Sequence, residues 1–151
     1  MISPFTDPMR IALDEARAAA LAGEVPVGAV VVRGGELIAR SGNRMRTDAD
    51  PTAHAEMVAL RAAAAALGSS RLDGCDLWVT LEPCAMCAGA MALARISRLY
   101  FAAPDPKRGA VIHGPRLFAS PACHHAPEVY SGMGEEEAGA LLREFFQERR
   151  L

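Results

Sequence analysis

The sequence predicts an α/β fold in which a β-sheet lies between layers of helices. Short runs of β-branched and aromatic residues alternate with longer segments whose apolar residues follow helical spacing, and this alternation is typical of layered α/β folds. The chain has 151 residues and shows no internal repeat or linker, so we expect residues 1–151 to form a single domain.

The first half of the chain is predicted to contain a helix, a hairpin and a second helix. Thr6-Asp7-Pro8 is typical of a helix start, and Gly23 is placed to end that helix. Gly34-Gly35 separates two apolar runs and predicts the hairpin turn, while Gly68 ends the second helix. The predicted ranges are 8–22 for the first helix, 27–32 and 37–39 for the strands, 41–51 for a loop and 53–67 for the second helix.

The second half is predicted to add three strands and two longer helices. Pro83 is placed to open a helix, because the N–H that proline lacks has no partner at the first helical position. The C-terminal helix has acidic residues early and arginines late, which matches its dipole. Residues 103–127 are expected to form loops with one short helix near Leu117. The predicted ranges are 77–80, 98–102 and 128–130 for the strands and 83–94 and 135–149 for the helices.

The charge balance does not favour a protein that binds nucleic acid over its whole surface. The formal net charge is −2 and the isoelectric point is about 6.1, whereas nucleic-acid-binding domains are commonly basic throughout. Any RNA contact is therefore expected to be local. The candidate basic clusters, which an ordinary solvated face would also explain, are Lys107-Arg108, Arg116, Arg143 and Arg149-Arg150.

The sequence predicts a cytoplasmic protein without a membrane segment. No apolar run approaches the ~20 residues that span a bilayer, and residues 1–5 lack the basic and apolar regions of a secretory signal. In the cytoplasm the four cysteines are expected to be metal ligands or free thiols and not disulfides.

A split cluster of metal-binding residues indicates the chemistry. His54 and Glu56 lie in the first turn of one predicted helix, and Cys84 and Cys87 lie in the first turn of another. One imidazole and two thiolates are three zinc ligands, which leaves a fourth tetrahedral position for water, as in catalytic zinc sites. A Cys-x-x-Cys pair alone is also compatible with a redox dithiol or a structural zinc site. A structural site would need further ligands from among Cys75, His113, Cys123, His124 and His125.

Glu56 is predicted to be a general base beside the metal. It follows His54 by two positions and so does not share a helical face with it, as an i, i+3 or i+4 partner would. Two thiolates weaken zinc as a Lewis acid, so a bound water needs a nearby carboxylate to take its proton. The alternative is that Glu56 is only an acidic residue that stabilises a helix start.

These motifs resemble those of the zinc nucleobase deaminases. His-x-Glu followed by Pro-Cys-x-x-Cys is the pattern of that superfamily. Within that superfamily, the chain resembles the TadA-type tRNA-specific adenosine deaminases of bacteria most in several stretches. These stretches are 24–30, Asn43, 50–56, 79–90, Asp105-Pro106-Lys107 and Phe145-Phe146. The resemblance covers the chain from about Asp7 to Arg150.

The resemblance implies a fold, a cofactor and a reaction. The fold is the three-layer α-β-α, cytidine deaminase-like fold with a central mixed sheet. His54, Cys84 and Cys87 would hold one Zn²⁺ per subunit, and Glu56 would carry protons while an activated water attacks C6 of an adenosine. The substrate would be the wobble position of a tRNA anticodon, typically in an arginine tRNA, and the product inosine. The resemblance also implies a homodimer.

The resemblance further implies which residues contact the RNA. Backbone groups near Ala55 and Pro83 would read the base edge, and Asn43 would contact the flipped nucleotide. The residues expected to hold the anticodon loop are Asp105, Lys107, Phe145, Arg149 and Arg150. Packing is the alternative for the Phe145-Phe146 pair, and the terminal arginines would alternatively complement the helix dipole.

Three features of the chain need separate interpretation. Pro104 precedes Asp105 where the family commonly has alanine, and it restricts the residue before it toward extended geometry. Cys123-His124-His125 is expected to serve packing or the surface, because adjacent histidines rarely converge on one ion without further ligands. Cys75 is expected to be a buried, small apolar residue.

Two other functions share part of this pattern. A deaminase of free guanine, cytosine or cytidine would have the same metal motif, so only the 80–84 context and the C-terminal helix favour the tRNA enzyme. A zinc-stabilised binding module would leave Glu56 without a role. The small residues of 88–92 would allow close helix packing in a homodimer, although internal packing explains them equally well.

Overall fold

The computed structural model describes residues 7–149. Over this range the elements are α1 (Pro8–Leu21), β1 (Gly28–Arg33), β2 (Glu36–Gly42), α2 (Ala55–Leu67), β3 (Cys75–Leu81), α3 (Ala85–Ala94), β4 (Arg98–Ala103), a 3₁₀ turn (Leu117–Ala119), β5 (Glu128–Ser131) and α4 (Glu135–Arg149). Every predicted helix and strand is present, with ends that differ by a few residues. Thr6 and Arg150 lie outside the described residues.

The strands form one mixed sheet in the order β2-β1-β3-β4-β5. β1 is antiparallel to both β2 and β3, whereas β3-β4 and β4-β5 are parallel pairs. Leu81 and Ala103, at the carboxyl ends of β3 and β4, are register partners. The segments that follow these two strands therefore leave the sheet side by side, and this brings distant parts of the chain to one edge.

Helices cover both faces of the sheet. Alternate strand residues such as Val31, Val79 and Phe101 point to the face covered by α2 and α3. Val30 and Ala102 point to the opposite face, where α1 and α4 pack. The three-layer α-β-α fold with a central mixed sheet is therefore confirmed. None of the helices within residues 7–149 has the length and apolar character needed to cross a bilayer.

Glycine allows α1 to lie directly on the hairpin. A Cβ atom on Gly28 would overlap the carbonyl oxygen of Ala12, and one on Gly42 would come within 2.8 Å of the Ala19 Cβ. The α1 residues at these two contacts include the small residues Ala12, Ala16 and Ala19, and Ala16 has no exposed surface. This close approach sets the position of the hairpin relative to the helix and so places the loop that follows β2.

The two helices that carry the metal motif begin later than predicted. α2 begins at Ala55 and α3 at Ala85, so His54 and Cys84 are N-cap residues with extended backbone, at ψ 154° and 176°. The predictions that these two residues lie inside the first helical turn and that Pro83 opens α3 are therefore wrong. Neither side chain makes a capping hydrogen bond. An extended N-cap directs its side chain past the helix end, and the two side chains meet there.

Candidate active site

Two helix ends bring three donor atoms together. The Nδ1 atom of His54 lies 3.6 Å from the Sγ atom of Cys84 and 3.5 Å from the Sγ atom of Cys87. All three donor atoms lie within 4.8 Å of one another, and no other histidine, cysteine or acidic residues within 7–149 form such a group. None of the four cysteines forms a disulfide. The three predicted ligands therefore converge on one point.

The donor set fits zinc. A tetrahedral ion with Zn–S bonds of about 2.3 Å and Zn–N bonds of about 2.0 Å separates nitrogen and sulfur ligands by roughly 3.6 Å. The separations of 3.5 and 3.6 Å between His54 Nδ1 and the two sulfurs agree with that value. One imidazole and two sulfurs supply three ligands and leave one position for water or substrate. This arrangement is typical of catalytic zinc.

Hydrogen bonds inside the cluster determine which sulfur is charged. The hydrogen bond from the Cys87 thiol, assisted by His54, lowers the pKa of Cys84 to about 3 although burial opposes the shift. The same hydrogen bond, together with burial, raises the pKa of Cys87. The thiolate form is therefore favoured at Cys84 over Cys87. Metal binding would remove the second proton, because a cation favours the thiolate form.

Glu56 lies beside the donors without joining them. It is the second residue of α2, and only 4% of its surface is exposed. Burial raises the pKa of Glu56 to about 7, although the charge of His54 opposes the shift. A carboxyl group with a pKa near neutrality can accept a proton and release it within one catalytic cycle. Glu56 is therefore the candidate proton carrier of the site.

A cavity of about 960 Å³ extends from the donor cluster to the last turns of α4. This volume is sufficient for a nucleoside and more. The acidic residues of its lining are Glu56, Glu82 and Asp105. Its cationic lining residues are Lys107, Arg108, Arg143 and Arg149. Within residues 7–149 none of these four cations forms an ion pair.

Most of the residues predicted to contact the substrate line this cavity, and they are Asn43, Ala55, Asp105, Lys107 and Arg149. The Asn43 side-chain oxygen accepts a hydrogen bond from the Met45 N–H at 3.2 Å, which orients the amide. Pro83 does not line the cavity. It is buried, and its carbonyl oxygen accepts a hydrogen bond from the Ala110 N–H at 2.9 Å. Arg150 lies outside the described residues.

The aromatic pair of α4 corrects one predicted contact. Phe145 is 8% exposed and is absent from the cavity lining, whereas Phe146 is 48% exposed and lines the cavity. The guanidinium of Arg149 lies 4.0 Å from the centre of the Phe145 ring. The ring that faces the cavity is therefore Phe146 and not the predicted Phe145, because helical periodicity shows that adjacent residues diverge but not which of them faces the core.

The cavity residues that were not predicted as contacts include two cations and one aromatic ring, Arg108, Arg143 and Phe146. Both arginines belong to the basic clusters of the sequence, which an ordinary solvated face would also explain. Spacing does contain a usable signal, since Leu142, Arg143 and Phe146 follow the i, i+1, i+4 pattern of one helical face. Which way that face points depends on the position of α4, and in the structure it points to the cavity.

Cys75, Cys123 and His125 make contacts within the fold. Cys75 has no exposed surface and belongs to the core between the sheet and α2 and α3, as predicted. His125 Nε2 lies 2.8 Å from the Ile96 carbonyl oxygen, and the Cys123 thiol donates a hydrogen bond to the His125 carbonyl oxygen at 3.1 Å. His124 is exposed. Together they form no group able to hold a metal.

Comparison with known proteins agrees with this site. A family model of the cytidine and deoxycytidylate deaminase zinc-binding region matches residues 5–103, a span that contains the three donors and Glu56. The tRNA-specific adenosine deaminase of Agrobacterium fabrum is 59% identical to this chain over 143 residues, which cover 95% of this chain and 94% of the relative.

Solved structures agree as well. One solved structure comes from biochemical and structural studies of A-to-I editing by tRNA:A34 deaminases at the wobble position of transfer RNA. Its chain is 58% identical to this one, with a TM-score of 0.88, and the match covers 89% of this chain and 98% of that one. Guanine deaminase from Nitrosomonas europaea is 29% identical, with a TM-score of 0.80, over 96% of this chain and 85% of that one. The chain is therefore a member of the zinc-dependent cytidine and deoxycytidylate deaminase family, and within it belongs with the tRNA-specific adenosine deaminases.

Proposed function

We propose that this enzyme converts adenosine to inosine at position 34, the wobble position, of a tRNA anticodon, with an arginine tRNA as the first candidate. The observation that carries the proposal is the set of four cations around a cavity that leads to the donor cluster. An anticodon loop brings several phosphates to such a cavity, whereas a free base brings none. The chain is acidic overall, so these cations form a local site.

The residues of the chain would divide the chemistry among them. When bound to His54, Cys84 and Cys87, zinc lowers the pKa of a water molecule and so supplies the nucleophile. Glu56 takes the proton that this water loses and delivers it to N1 of the adenine. The oxygen of this water forms a bond to C6. The same carboxyl group then moves the proton of the new C6 hydroxyl to the amino group, the C6–N bond breaks, and ammonia leaves as the carbonyl of inosine forms. Asn43 orients the flipped nucleotide.

Deamination of a free base is the second candidate function. The similarity to guanine deaminase from Nitrosomonas europaea supports it, because the metal motif serves both reactions. The two functions differ in what the end of α4 must do. Arg143, Phe146 and Arg149 would stack on bases and pair with phosphates in an RNA loop, and a free base offers no phosphate for them.

One substrate panel separates the two functions. Purified, zinc-loaded protein is incubated with an arginine anticodon stem-loop that carries adenosine at position 34, and inosine is measured by nuclease digestion and chromatography. The matched controls are the same stem-loop with guanosine at that position, and free adenosine, guanine, cytosine and cytidine. We expect inosine from the adenosine stem-loop alone. Turnover of the free compounds without turnover of the stem-loop would contradict the proposal.

We further propose that the enzyme is a cytoplasmic homodimer. Leu93, near the end of α3, is 71% exposed, and Ile112 is 42% exposed. A second copy packed against these residues would remove their apolar surface from water. Analytical ultracentrifugation of the zinc-loaded protein at micromolar concentration is expected to give twice the mass of the chain, and a monomer there would refute the dimer.

A further inference from the structure

We propose that Glu82 is a positioning residue whose buried carboxylate holds the substrate-facing segment 104–113 against the metal-binding turn. We call this set of contacts the Glu82 clamp. The inference rests on the proposed function, because the segment carries Lys107 and Arg108, two of the cations assigned there to the RNA. Glu82 itself would act through this segment and not on the reacting atoms.

Both oxygens of Glu82 are occupied by donors from one segment. The side chain is fully buried. Its Oε2 atom accepts hydrogen bonds from the backbone N–H groups of Val111, Ile112 and His113 at 3.1, 2.9 and 3.1 Å. Its Oε1 atom accepts one from the Asp105 N–H at 2.9 Å and lies 2.7 Å from His113 Nδ1. A charged acceptor with this many donors orders the backbone around it.

The clamp connects the metal site with the cavity wall. Glu82 precedes the ligand Cys84 by two residues, and the neighbouring Pro83 carbonyl oxygen accepts a hydrogen bond from the Ala110 N–H at 2.9 Å. Lys107 lies between the two clamped ends of the segment, Asp105 and residues 111–113. The distance from this cation to the donor cluster is therefore set through Glu82.

The backbone of the segment is shaped around the carboxylate. A Cβ atom on Gly109 would overlap the Glu82 carboxyl carbon, so only glycine lets the chain pass at this point. The Asp105 side chain accepts hydrogen bonds from the N–H groups of Lys107 and Arg108 at 3.2 and 3.1 Å, which closes the segment into a turn. A shift of Glu82 would therefore move both cations as one unit.

Two variants of the clamp test the inference. His113→Ala removes the one side-chain donor to Glu82 and leaves the four backbone donors, and His124→Ala is the matched control at an exposed histidine. We expect His113→Ala to raise KM for the stem-loop by roughly tenfold, because a segment that is less ordered in the free enzyme must be ordered on binding, with kcat and zinc content unchanged. Glu82→Gln should raise KM further. The side-chain NH₂ group of the glutamine would face backbone N–H groups that need an acceptor.

A double-mutant cycle separates positioning from general destabilisation. If the clamp positions Lys107, the KM increase caused by Lys107→Ala is smaller in the His113→Ala background than in the wild type. Additive increases would overturn the inference, as would an unchanged KM in His113→Ala or a loss of zinc with KM unchanged. If Glu82→Gln does not fold, the cycle with His113→Ala decides.

Hydrogen exchange keeps this test independent of the proposed function. The amides of Asp105 and of residues 111–113 are expected to exchange faster in His113→Ala than in the wild type or in His124→Ala. If the wild type does not deaminate the stem-loop, the proposed function is wrong. The exchange rates then still show whether the Glu82 clamp orders the segment. Unchanged exchange at these amides would overturn the clamp even in an enzyme fully active on the stem-loop.

Discussion

His54 and Cys84 each occupy the N-cap of a helix, and this shared position explains how a metal cluster forms from residues 30 positions apart. The extended backbone of an N-cap residue aims the side chain beyond the helix end. The unpaired N–H groups of each first turn favour negative charge nearby, and thus favour thiolate over thiol. Glu56, the second residue of α2, lies near the same point, and its side chain is buried.

The role of a single carboxyl group can be tested at this scale. Glu56→Gln should lower kcat on the stem-loop by roughly 10²–10⁴-fold, because it removes the group that carries the proton. The zinc content should not change, since Glu56 is not among the three donors. Metal analysis and single-turnover inosine formation measure both quantities. Glu136→Gln, at an exposed position of α4, is the matched control, and loss of zinc in Glu56→Gln would contradict the assignment.

At the scale of an element, two adjacent residues of α4 have different environments. Phe145 is buried, and Phe146 lines the cavity. Phe145 and Phe146 have rings at an interplanar angle of 82°, one facing the interior and the other facing the cavity. Arg149 lies one turn after Phe145, covers its ring and also lines the cavity. The helix therefore depends on Phe145 for its position and presents its other face to the cavity.

Alanine substitutions should separate these two contributions. Phe145→Ala is expected to lower the free energy of unfolding by about 3 kcal/mol, the usual cost of deleting a buried ring. Phe146→Ala should change it by less than about 0.5 kcal/mol, as at other surface positions, and should raise KM for the stem-loop. Urea denaturation and steady-state kinetics measure the two effects. A stability loss in Phe146→Ala equal to that in Phe145→Ala would refute this division.

The loop after β2, which begins at Asn43, is held in place by a second buried carboxylate. Glu24 accepts hydrogen bonds from the Arg46 N–H at 3.1 Å, the Thr47 N–H at 2.6 Å and the Thr47 hydroxyl at 2.7 Å. Burial alone would raise the pKa of Glu24, but these hydrogen bonds outweigh burial and hold it below the ordinary value of 4.5. The folded state therefore favours the ionised form.

This shift predicts how stability depends on pH. Glu24→Gln should lower the free energy of unfolding at pH 7 by about 2 kcal/mol, because charged hydrogen bonds are lost. Since the pKa is lower in the folded state, the contribution of Glu24 is fully present above pH 4.5 and is lost as the pH falls through the folded-state pKa. The difference between wild type and variant should therefore narrow in acid.

Urea denaturation from pH 7 downward measures that difference. Glu36→Gln, at an exposed position of β2, controls for the general effect of removing a negative charge. A difference between wild type and Glu24→Gln that stays constant from neutral pH into acid would contradict the role of the ionised carboxylate.

Over the whole molecule, charge is unevenly distributed. The net charge is −2, yet the cavity is lined by Lys107, Arg108, Arg143 and Arg149. In α4 the acidic side chains of 135–137 lie at the N-terminus, and the arginines lie toward the C-terminal end beside the cavity. Such a distribution attracts an anionic polymer to one place without making the surface generally adhesive to nucleic acid.

The salt dependence of binding tests this distribution. Arg143→Ala should weaken binding of the stem-loop and reduce the slope of log K against log salt by about one, because one phosphate contact is lost. Arg71→Ala, an exposed arginine paired with Asp73 and absent from the cavity lining, should leave the slope unchanged. Fluorescence anisotropy across a salt series measures both slopes. Equal slopes in wild type and Arg143→Ala would place the RNA elsewhere.

The order of the elements and the identity of the three donors could be read from the sequence. Helical spacing, β-branched runs and glycine positions are local signals, so they predicted each helix and strand before any tertiary contact was considered. The same holds for His54, Cys84 and Cys87, because few residue types bind zinc and their spacing is itself informative. The errors in the predicted elements concerned helix ends, where one or two residues decide which residue is the N-cap.

The tertiary structure decided everything that depends on how one element faces another. Whether Phe145 or Phe146 lines the cavity depends on the rotation of α4 against the sheet, and periodicity does not specify that rotation. The contacts of Glu82 depend on the parallel pairing of β3 and β4, which brings residues about thirty positions apart to one edge. The sequence by itself determined the chemistry of the metal donors, because that chemistry depends only on which side chains are present. Only packing determined which groups surround those donors, because that follows from distances between segments remote in the chain.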